Sequence, residues 1–228
     1  VAELVLAGWV QYSPSLRHRV INLLLGRDVW TLRLLDAVAA SRVAAGELTI
    51  TVKKQLAEHR DRTVRERAAA LVPLARPESR RVVVEKYKGA GGLTGDGVKG
   101  AAVFAKTCSA CHAYIGKGGR IAPDLAPFRT KNAEDIVLAI FDPNAAIEPG
   151  YTAYTIETRD GRSIVGVVSN ESATSIVLAQ PGGTSETLLR SDIVRMRAIE
   201  QSLMPEGLEQ VLGLQDVADI IAFLRGGG

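Results

Sequence analysis

The sequence has 228 residues, of which 46% are hydrophobic and 23% are charged, and its formal net charge is +3. This composition is typical of a globular chain that forms one large domain or two small ones. The sequence lacks an apolar run of about 18 residues, which excludes a membrane-spanning helix. Its basic residues are scattered and have no aromatic residues between them, which argues against a nucleic-acid partner.

The charge is distributed unevenly along the chain. Residues 1–88 contain 16 Lys and Arg and 9 Asp and Glu, whereas residues 89–228 contain 12 and 16. Two differently solvated surfaces explain this split, and so does a basic module that meets an acidic one. The first residue is Val, and no basic-then-apolar leader follows it. We therefore expect a processed or excised piece of a longer protein.

Residues 1–75 show the pattern of short helices. Ser13 and Pro14 are typical of a helix start, and Gly26 is typical of the stop after it. Asp28 and Asp61 are the predicted N-caps of two further helices. Short helices joined by tight turns favour a small HEAT-like α-helical module, which we place at residues 1–88.

A glycine-rich segment, "KGAGGLTGDG" at residues 88–97, is the predicted boundary between two domains. Its composition predicts a flexible joint. The second predicted domain covers residues 89–228. Its first helix is expected to run from about Asp96 to the cysteines, and its last from about Asp216 to Arg225.

The period of the hydrophobic pattern changes between these two helices. Alternating residues flank Asp160 and Gly161, which predicts a β-hairpin. Short β-branched runs continue to residue 199. We expect four to five antiparallel strands at about 151–199, as a small β insertion in a mainly α domain.

The two cysteines of the sequence, Cys108 and Cys111, lie three residues apart and are followed directly by His112. A CxxC pair has three common interpretations: a redox dithiol, half of a zinc site, or attachment of haem through thioethers. A thioredoxin-like dithiol requires a preceding strand, and here a helix precedes it. A zinc site requires four ligands, and the other histidines fall in the first predicted domain. CxxCH therefore favours one covalently bound haem c, with His112 as the iron ligand from the protein.

An iron-bound histidine is usually held by a hydrogen bond from its other ring nitrogen. The segment that follows the motif, "GKGGRIAPDLAPF", is a loop that could supply a backbone carbonyl. Pro123 has no N–H and restrains the chain locally. Its carbonyl is the predicted acceptor.

These motifs together resemble a known family. The order of helix, CxxCH, Pro-Asp-Leu loop, methionine and C-terminal helix is similar to class I cytochromes c, and Gly100, Phe104 and Phe223 match that family's helix crossing. More narrowly, the sequence resembles the haem-binding C-terminal domain of Planctomycetes and Verrucomicrobia over residues 90–226. The segments that carry this resemblance are "FAKTCSACH", "APDLAPF", "IFDPNAAIEPGYTAYTIETRDGRSIVGVV" and "SLMPEGL". The resemblance implies a HEAT-like segment before the domain and a sugar-dehydrogenase-like propeller further upstream.

The sequence contains two methionines that could be the sixth iron ligand. Met196 lies in an alternating pattern typical of a half-buried strand, so we interpret it as a core residue. Met204 lies in "SLMPEGL", a predicted loop, and the Ser-Leu-Met-Pro pattern of the resembled family implies that this methionine is the ligand. The predicted metal ligands are therefore His112 and Met204, with Cys108, Cys111 and Pro123 completing the cofactor site.

The predicted function is electron transfer rather than catalysis, and no catalytic residue is assigned. Such a module would take single electrons from a dehydrogenase, either separate or fused, and pass them to a respiratory partner in the periplasm or another exported location. The alternative is a sensing or catalytic haem whose sixth position is open or displaceable. A third alternative is that the helical module is the functional binding surface. The spin state of the iron distinguishes the first two.

Overall fold

The structure is a computed structural model, and it describes residues 1–74, 77–148 and 150–226. The chain divides into two compact units. The first unit contains the described residues of Val1–Ala75, Ile147–Leu178 and Ser185–Gln201. The second contains those of Arg76–Ala146, Ala179–Thr184 and Ser202–Gly228.

The described residues form α-helices and β-strands that are numbered here in chain order. The helices are α1 (Ala2–Ala7), α2 (Pro14–Leu24), α3 (Asp28–Ala39), α4 (Ile50–Ala57), α5 (Arg62–Leu71), α6 (Glu78–Tyr87), α7 (Gly97–Thr107), α8 (Ala133–Phe141) and α9 (Leu214–Leu224). The strands are β1 (Ala113–Tyr114), β2 (Lys117–Gly118), β3 (Ala153–Thr158), β4 (Ser163–Glu171), β5 (Ser175–Ala179), β6 (Ser185–Leu189) and β7 (Ile193–Ala198). No helix of the described part is long and apolar enough to span a membrane.

Local capping explains where some helices of the first unit begin. The Ser13 hydroxyl accepts a hydrogen bond from the Leu16 N–H at 3.3 Å, directly before α2. Asp61 caps α5 in the same way, as predicted. The prediction for Asp28 is wrong by one position, because Arg27 is the N-cap and Asp28 lies in the first turn of α3.

The β-strands β3 to β7 form one five-stranded antiparallel sheet with the order β6-β5-β4-β3-β7. The predicted hairpin is confirmed, because β3 and β4 pair across the turn that contains Gly161, whose φ is 84°. Pairing of Ile156 with both Ile164 and Met196 places apolar side chains on one face. These residues form the buried core of the sheet.

The sheet packs against the N-terminal helices within the first unit. Arg17, on α2, is 1% exposed and donates to the carbonyl of Met196 on β7 at 3.1 Å. Glu47 accepts from Arg17 at 2.6 Å and from the hydroxyl of Tyr154 on β3 at 3.1 Å. The expected small β insertion is therefore corrected. The sheet is a substantial part of the fold, and buried polar contacts with residues 17 and 47 assign it to the first unit.

The second unit is built around the contact between α7 and α9. A Cβ atom at Gly100 would overlap the Asp219 carbonyl oxygen of α9 and would come within 2.8 Å of the Cβ of Phe223. The rings of Phe104 and Phe223 lie beside this contact with their centroids 5.4 Å apart. The predicted helix crossing at these three positions is confirmed, and its cause is the missing side chain of glycine.

The glycine-rich segment is not the flexible joint that its composition predicts. Residues Lys88–Gly92 form a 3-10 helix, and Ala90 in its centre is 1% exposed in the core of the second unit. Added Cβ atoms at Gly91 and Gly95 would meet Ala133 and the Ala218 carbonyl. These two glycines allow close packing here rather than chain flexibility.

The second unit begins earlier in the chain than the predicted boundary between residues 88 and 89. Tyr87, on α6, stacks on Phe141 with ring centroids 4.0 Å apart, and its hydroxyl donates to the Leu212 carbonyl at 2.6 Å. Arg80 forms an ion pair with Glu209 at 2.6 Å. The structure therefore places α6 in the second unit. The predicted domains of 1–88 and 89–228, as independently folding parts, stay a prediction.

We expect the Gly100→Ala change to lower the free energy of unfolding by about 3 kcal/mol, because a backbone carbonyl cannot move away from the added methyl group without separating α7 from α9. Guanidinium unfolding followed by circular dichroism measures this loss. Gly92→Ala is the matched control, since an added Cβ there has no atom within 4 Å. Equal stability of the two variants would contradict the close-contact explanation.

Candidate functional site

The cysteine motif begins where α7 ends. The N–H of Cys108 closes the last turn by donating to the Phe104 carbonyl at 2.8 Å. The N–H groups of Cys111 and His112 then both donate to the Cys108 carbonyl, at 3.1 and 3.0 Å. This tight turn places two half-buried, free cysteines and a histidine at one helix end.

A second backbone segment holds the motif along its length. Residues 119–125 make three hydrogen bonds to it, from Gly119 to Ser109 at 2.8 Å, from Ala122 to Cys111 at 3.1 Å, and from Leu125 to Ala113 at 2.8 Å. The backbone of the motif is therefore held by main-chain hydrogen bonds rather than by flexible side chains.

The short β1–β2 hairpin connects the motif to residues 119–125. Its turn residues Ile115 and Gly116 have φ angles of 49° and 77°, which are typical of a type I′ turn. Cβ atoms at Gly118 and Gly119 would overlap the carbonyls of His112 and Ala110. Sequence reasoning missed these two glycines, although the "GKGG" that follows the motif was the available signal.

His112 is held in one orientation by the loop that contains Pro123. Its Nδ1 lies 2.8 Å from the Pro123 carbonyl oxygen, which is the acceptor that the sequence analysis expected. A carbonyl only accepts, so the proton is on Nδ1 and the lone pair is on Nε2. Burial lowers the pKa of His112, and the hydrogen bond to Pro123 partly opposes this shift. The imidazole is thus neutral at pH 7, which is the form that binds a metal.

The pKa of the Cys108 thiol is not that of a reactive redox thiol. Burial raises the pKa of Cys108 to about 11, and the neighbouring Cys111 adds to this effect. Reactive dithiols instead depend on a lowered thiol pKa. Within the described ranges, no group of three or more His, Cys, Asp or Glu is arranged to hold a metal ion. The raised pKa of Cys108 therefore does not favour the dithiol interpretation.

An aromatic cluster links the motif to the C-terminal helix. The ring of Tyr114, two residues after His112, lies 4.9 Å from that of Phe223 and 6.1 Å from that of Phe104. Its hydroxyl donates to the Leu224 carbonyl at 3.0 Å. The α7–α9 contact thus fixes the residues on both sides of the CxxCH turn. Tyr114 is a third residue that sequence reasoning did not identify.

The two methionines lie in different units. Met196 is on β7, is 7% exposed and belongs to the core of the sheet. Met204 is half-buried in the second unit, the same unit as His112, on the segment between β7 and α9. The prediction that Met196 is a core residue is confirmed. The role of Met204 as an iron ligand stays a prediction.

Asn144 anchors the segment that carries Met204. Its side-chain oxygen accepts from the Ser202 N–H at 2.7 Å, and its amide donates to Glu206 at 2.7 Å. The Ser202 hydroxyl in turn accepts from the Met204 N–H at 3.1 Å. One side chain therefore braces the loop on both sides of the methionine. Nothing in the sequence distinguished this asparagine from an ordinary turn residue.

The residues present fit a covalently bound haem. Two free thiols lie at the spacing required for thioethers, and the adjacent imidazole keeps Nε2 for iron because Nδ1 is occupied by Pro123. Apolar residues that pack on the core of the second unit but remain only partly buried could cover a porphyrin face; they include Leu125, Phe128, Leu208 and Phe223.

Comparison with known proteins agrees with this geometry. Residues 97–161 match the family model described as cytochrome c. The matched range contains the CxxCH motif and Pro123 and ends before Met204. No curated protein matches the chain. The chain therefore contains a cytochrome c-like domain, whose family binds haem c covalently and transfers electrons.

Proposed function

We propose that the second unit is an electron-transfer module that carries one haem c. Cys108 and Cys111 would form its two thioethers, and His112 and Met204 would bind its iron. The single observation that carries this proposal is the 2.8 Å contact between His112 Nδ1 and the Pro123 carbonyl. That contact leaves a neutral imidazole whose Nε2 is free for iron, directly beside the two thiols.

The chain's own residues would orient the group and adjust its properties. The group, when bound, supplies one-electron chemistry at iron. The Pro123 carbonyl holds the proton of His112 on Nδ1 and raises the basicity of Nε2. Asn144 restrains the loop of Met204, so that a thioether rather than a solvent molecule would fill the sixth position. The half-buried apolar residues around the motif exclude water and thereby favour the less charged, reduced state.

We further propose that the partners are a dehydrogenase, either separate or fused, and a respiratory acceptor, and that the location is periplasmic or otherwise exported. Attachment of haem c to CxxCH supports an exported location, because such attachment is typical of exported proteins. The resemblance to the Planctomycetes and Verrucomicrobia domain supports the dehydrogenase partner. The protein is, on this proposal, an electron carrier and not itself an enzyme.

The test is expression of the full chain in a host that matures c-type cytochromes. We expect one haem to remain on the polypeptide after acid-acetone extraction, with the mass of one haem added and a low-spin spectrum in the oxidised state. Cys108→Ser/Cys111→Ser is the matched variant and should lose the covalent haem. A bare polypeptide from the unaltered chain would overturn the proposal. A high-spin protein that binds carbon monoxide rapidly would instead favour the sensing or catalytic alternative.

A further inference from the structure

A cavity in the first unit is lined by four arginines that the electron-transfer proposal does not use. It has a volume of about 260 Å³ and lies between the N-terminal helices and strand β7. Arg17, Arg42, Arg195 and Arg197 all line it. All the residues that line this cavity belong to the first unit.

One of these arginines is already neutralised. Arg17 is 1% exposed, and Glu47 pairs with it at 2.6 Å. Among the described residues that line the cavity, Glu47 is the one carboxylate. Its other oxygen accepts from Tyr154, and its single negative charge is balanced by that of Arg17.

The remaining arginines have weak partners or none. Arg195 and Arg197 are exposed on β7 and form no ion pair with any residue in the described part of the chain. In the strand pairing, Arg195 lies opposite Glu157, but the two side chains form no salt bridge. Arg42 is 3.8 Å from Glu3, and both of these side chains are about half exposed, at 46% and 61%. Screening by solvent makes such a contact weak.

The backbone beside Arg42 adopts a left-handed helix end. Ser41 follows α3 with a φ of 56°, and it lines the same cavity. The N–H of Arg42 donates to the Ala37 carbonyl and that of Ser41 to the Val38 carbonyl, which is the pattern of a Schellman helix end. Glycine is the usual residue at this left-handed position. Ser41, a short polar residue, occupies that position here and lines the cavity.

We propose that this cavity binds a small, multiply charged oxyanion, a phosphate monoester or a dicarboxylate, through Arg42, Arg195 and Arg197. Planar guanidinium groups match the oxygens of phosphate and carboxylate, and several converging forks would hold one such group. Three like charges around one cavity repel each other, and an anion relieves that repulsion. A volume near 260 Å³ suits a small anion and is below the usual range of about 300–1,000 Å³ for larger ligands.

The test is calorimetric titration of the full chain at constant ionic strength, with inorganic phosphate, glycerol 3-phosphate and succinate as separate probes and sodium chloride as the control. We expect saturable binding of at least one probe and none of chloride. Phosphate and its ester binding without succinate would identify the phosphate class, and succinate binding alone would identify the dicarboxylate class. Both results support the oxyanion site.

The variants Arg195→Gln and Arg197→Gln change exposed side chains, so the fold should survive. Each should weaken binding about tenfold, since a charge-assisted hydrogen bond contributes roughly one factor of ten or more in affinity. Arg62→Gln is the matched control, because Arg62 lies in the same unit with an 82% exposed side chain and away from the cavity. Arg17 is unsuitable as a probe, since its loss would leave Glu47 buried without its partner.

A bound anion should also raise the midpoint of thermal unfolding in the unaltered chain and in Arg62→Gln, but not in the double Arg195→Gln/Arg197→Gln variant. Three results would overturn the proposal: no saturable binding of any probe, an equal response to chloride, or unchanged affinity in the double variant.

Discussion

Met204→Ala is expected to abolish the weak red charge-transfer band of the iron–thioether bond and to convert the oxidised protein from low-spin to high-spin. Loss of the sulfur ligand removes one axial ligand and opens a position to small molecules. The reduced variant should therefore bind carbon monoxide, which the unaltered protein should not. The reduction potential should fall, because methionine ligation raises it. Absorption spectra in both oxidation states and a redox titration measure these changes.

Met196→Leu is the matched control for this experiment. Met196 is 7% exposed in the core of the sheet, and leucine nearly conserves its volume. We expect an unchanged spectrum and a loss of stability below about 1.5 kcal/mol. Loss of the band in the Met196 variant, with the band retained in Met204→Ala, would reverse the assignment of the sixth ligand.

Glu47→Ala is expected to cost about 3–5 kcal/mol of folding free energy in the first unit, because it leaves the guanidinium of Arg17 buried without its partner. Arg17 is 1% exposed, and Glu47 is 7% exposed. The variant also removes the acceptor of the Tyr154 hydroxyl. Burial, with the negative charge of Glu47 adding to it, keeps the pKa of Tyr154 above its ordinary value, so the hydroxyl stays protonated and needs an acceptor.

Tryptophan fluorescence during denaturant unfolding measures this loss selectively, since both tryptophans of the sequence, Trp9 and Trp30, lie in the first unit. Glu66→Ala breaks an ion pair with Arg62 whose side chains are 61% and 82% exposed. It is the matched control and should cost less than about 0.5 kcal/mol. A Glu47→Ala variant as stable as Glu66→Ala would contradict the importance of the buried pair.

Part of the fold was predictable because its signals are local. Ser13 and Asp61 cap their helices with their own side chains, and the Asp160-Gly161 turn closes a hairpin of neighbouring strands. Such contacts depend on residues only a few positions apart. The glycine-rich segment misled for the opposite reason, because Gly91 and Gly95 allow close contacts with Ala133 and Ala218, far along the chain.

The candidate site likewise has a part with a local sequence signal and a part that depends on distant contacts. CxxCH carries its chemistry in five consecutive residues, and the expected acceptor, Pro123, follows His112 by eleven residues within one loop. Asn144, in contrast, reaches residues about sixty positions away to brace the loop of Met204. No spacing rule in the sequence indicates such a contact. A single asparagine in "DPNAA" is compatible with any turn.

The sequence by itself determined the chemistry that one short segment can perform: two thiols, an imidazole and the proline carbonyl that can hold it. The spacing of its hydrophobic residues also determined where helices and strands form. Only the tertiary structure decided that the sheet packs with the N-terminal helices, that α6 packs with the second unit, and that four arginines line one cavity. The physical reason is that burial and long-range ion pairs are properties of the folded chain. Arg17 and Glu47 are thirty residues apart and resemble surface charges in the sequence, until folding removes both from water.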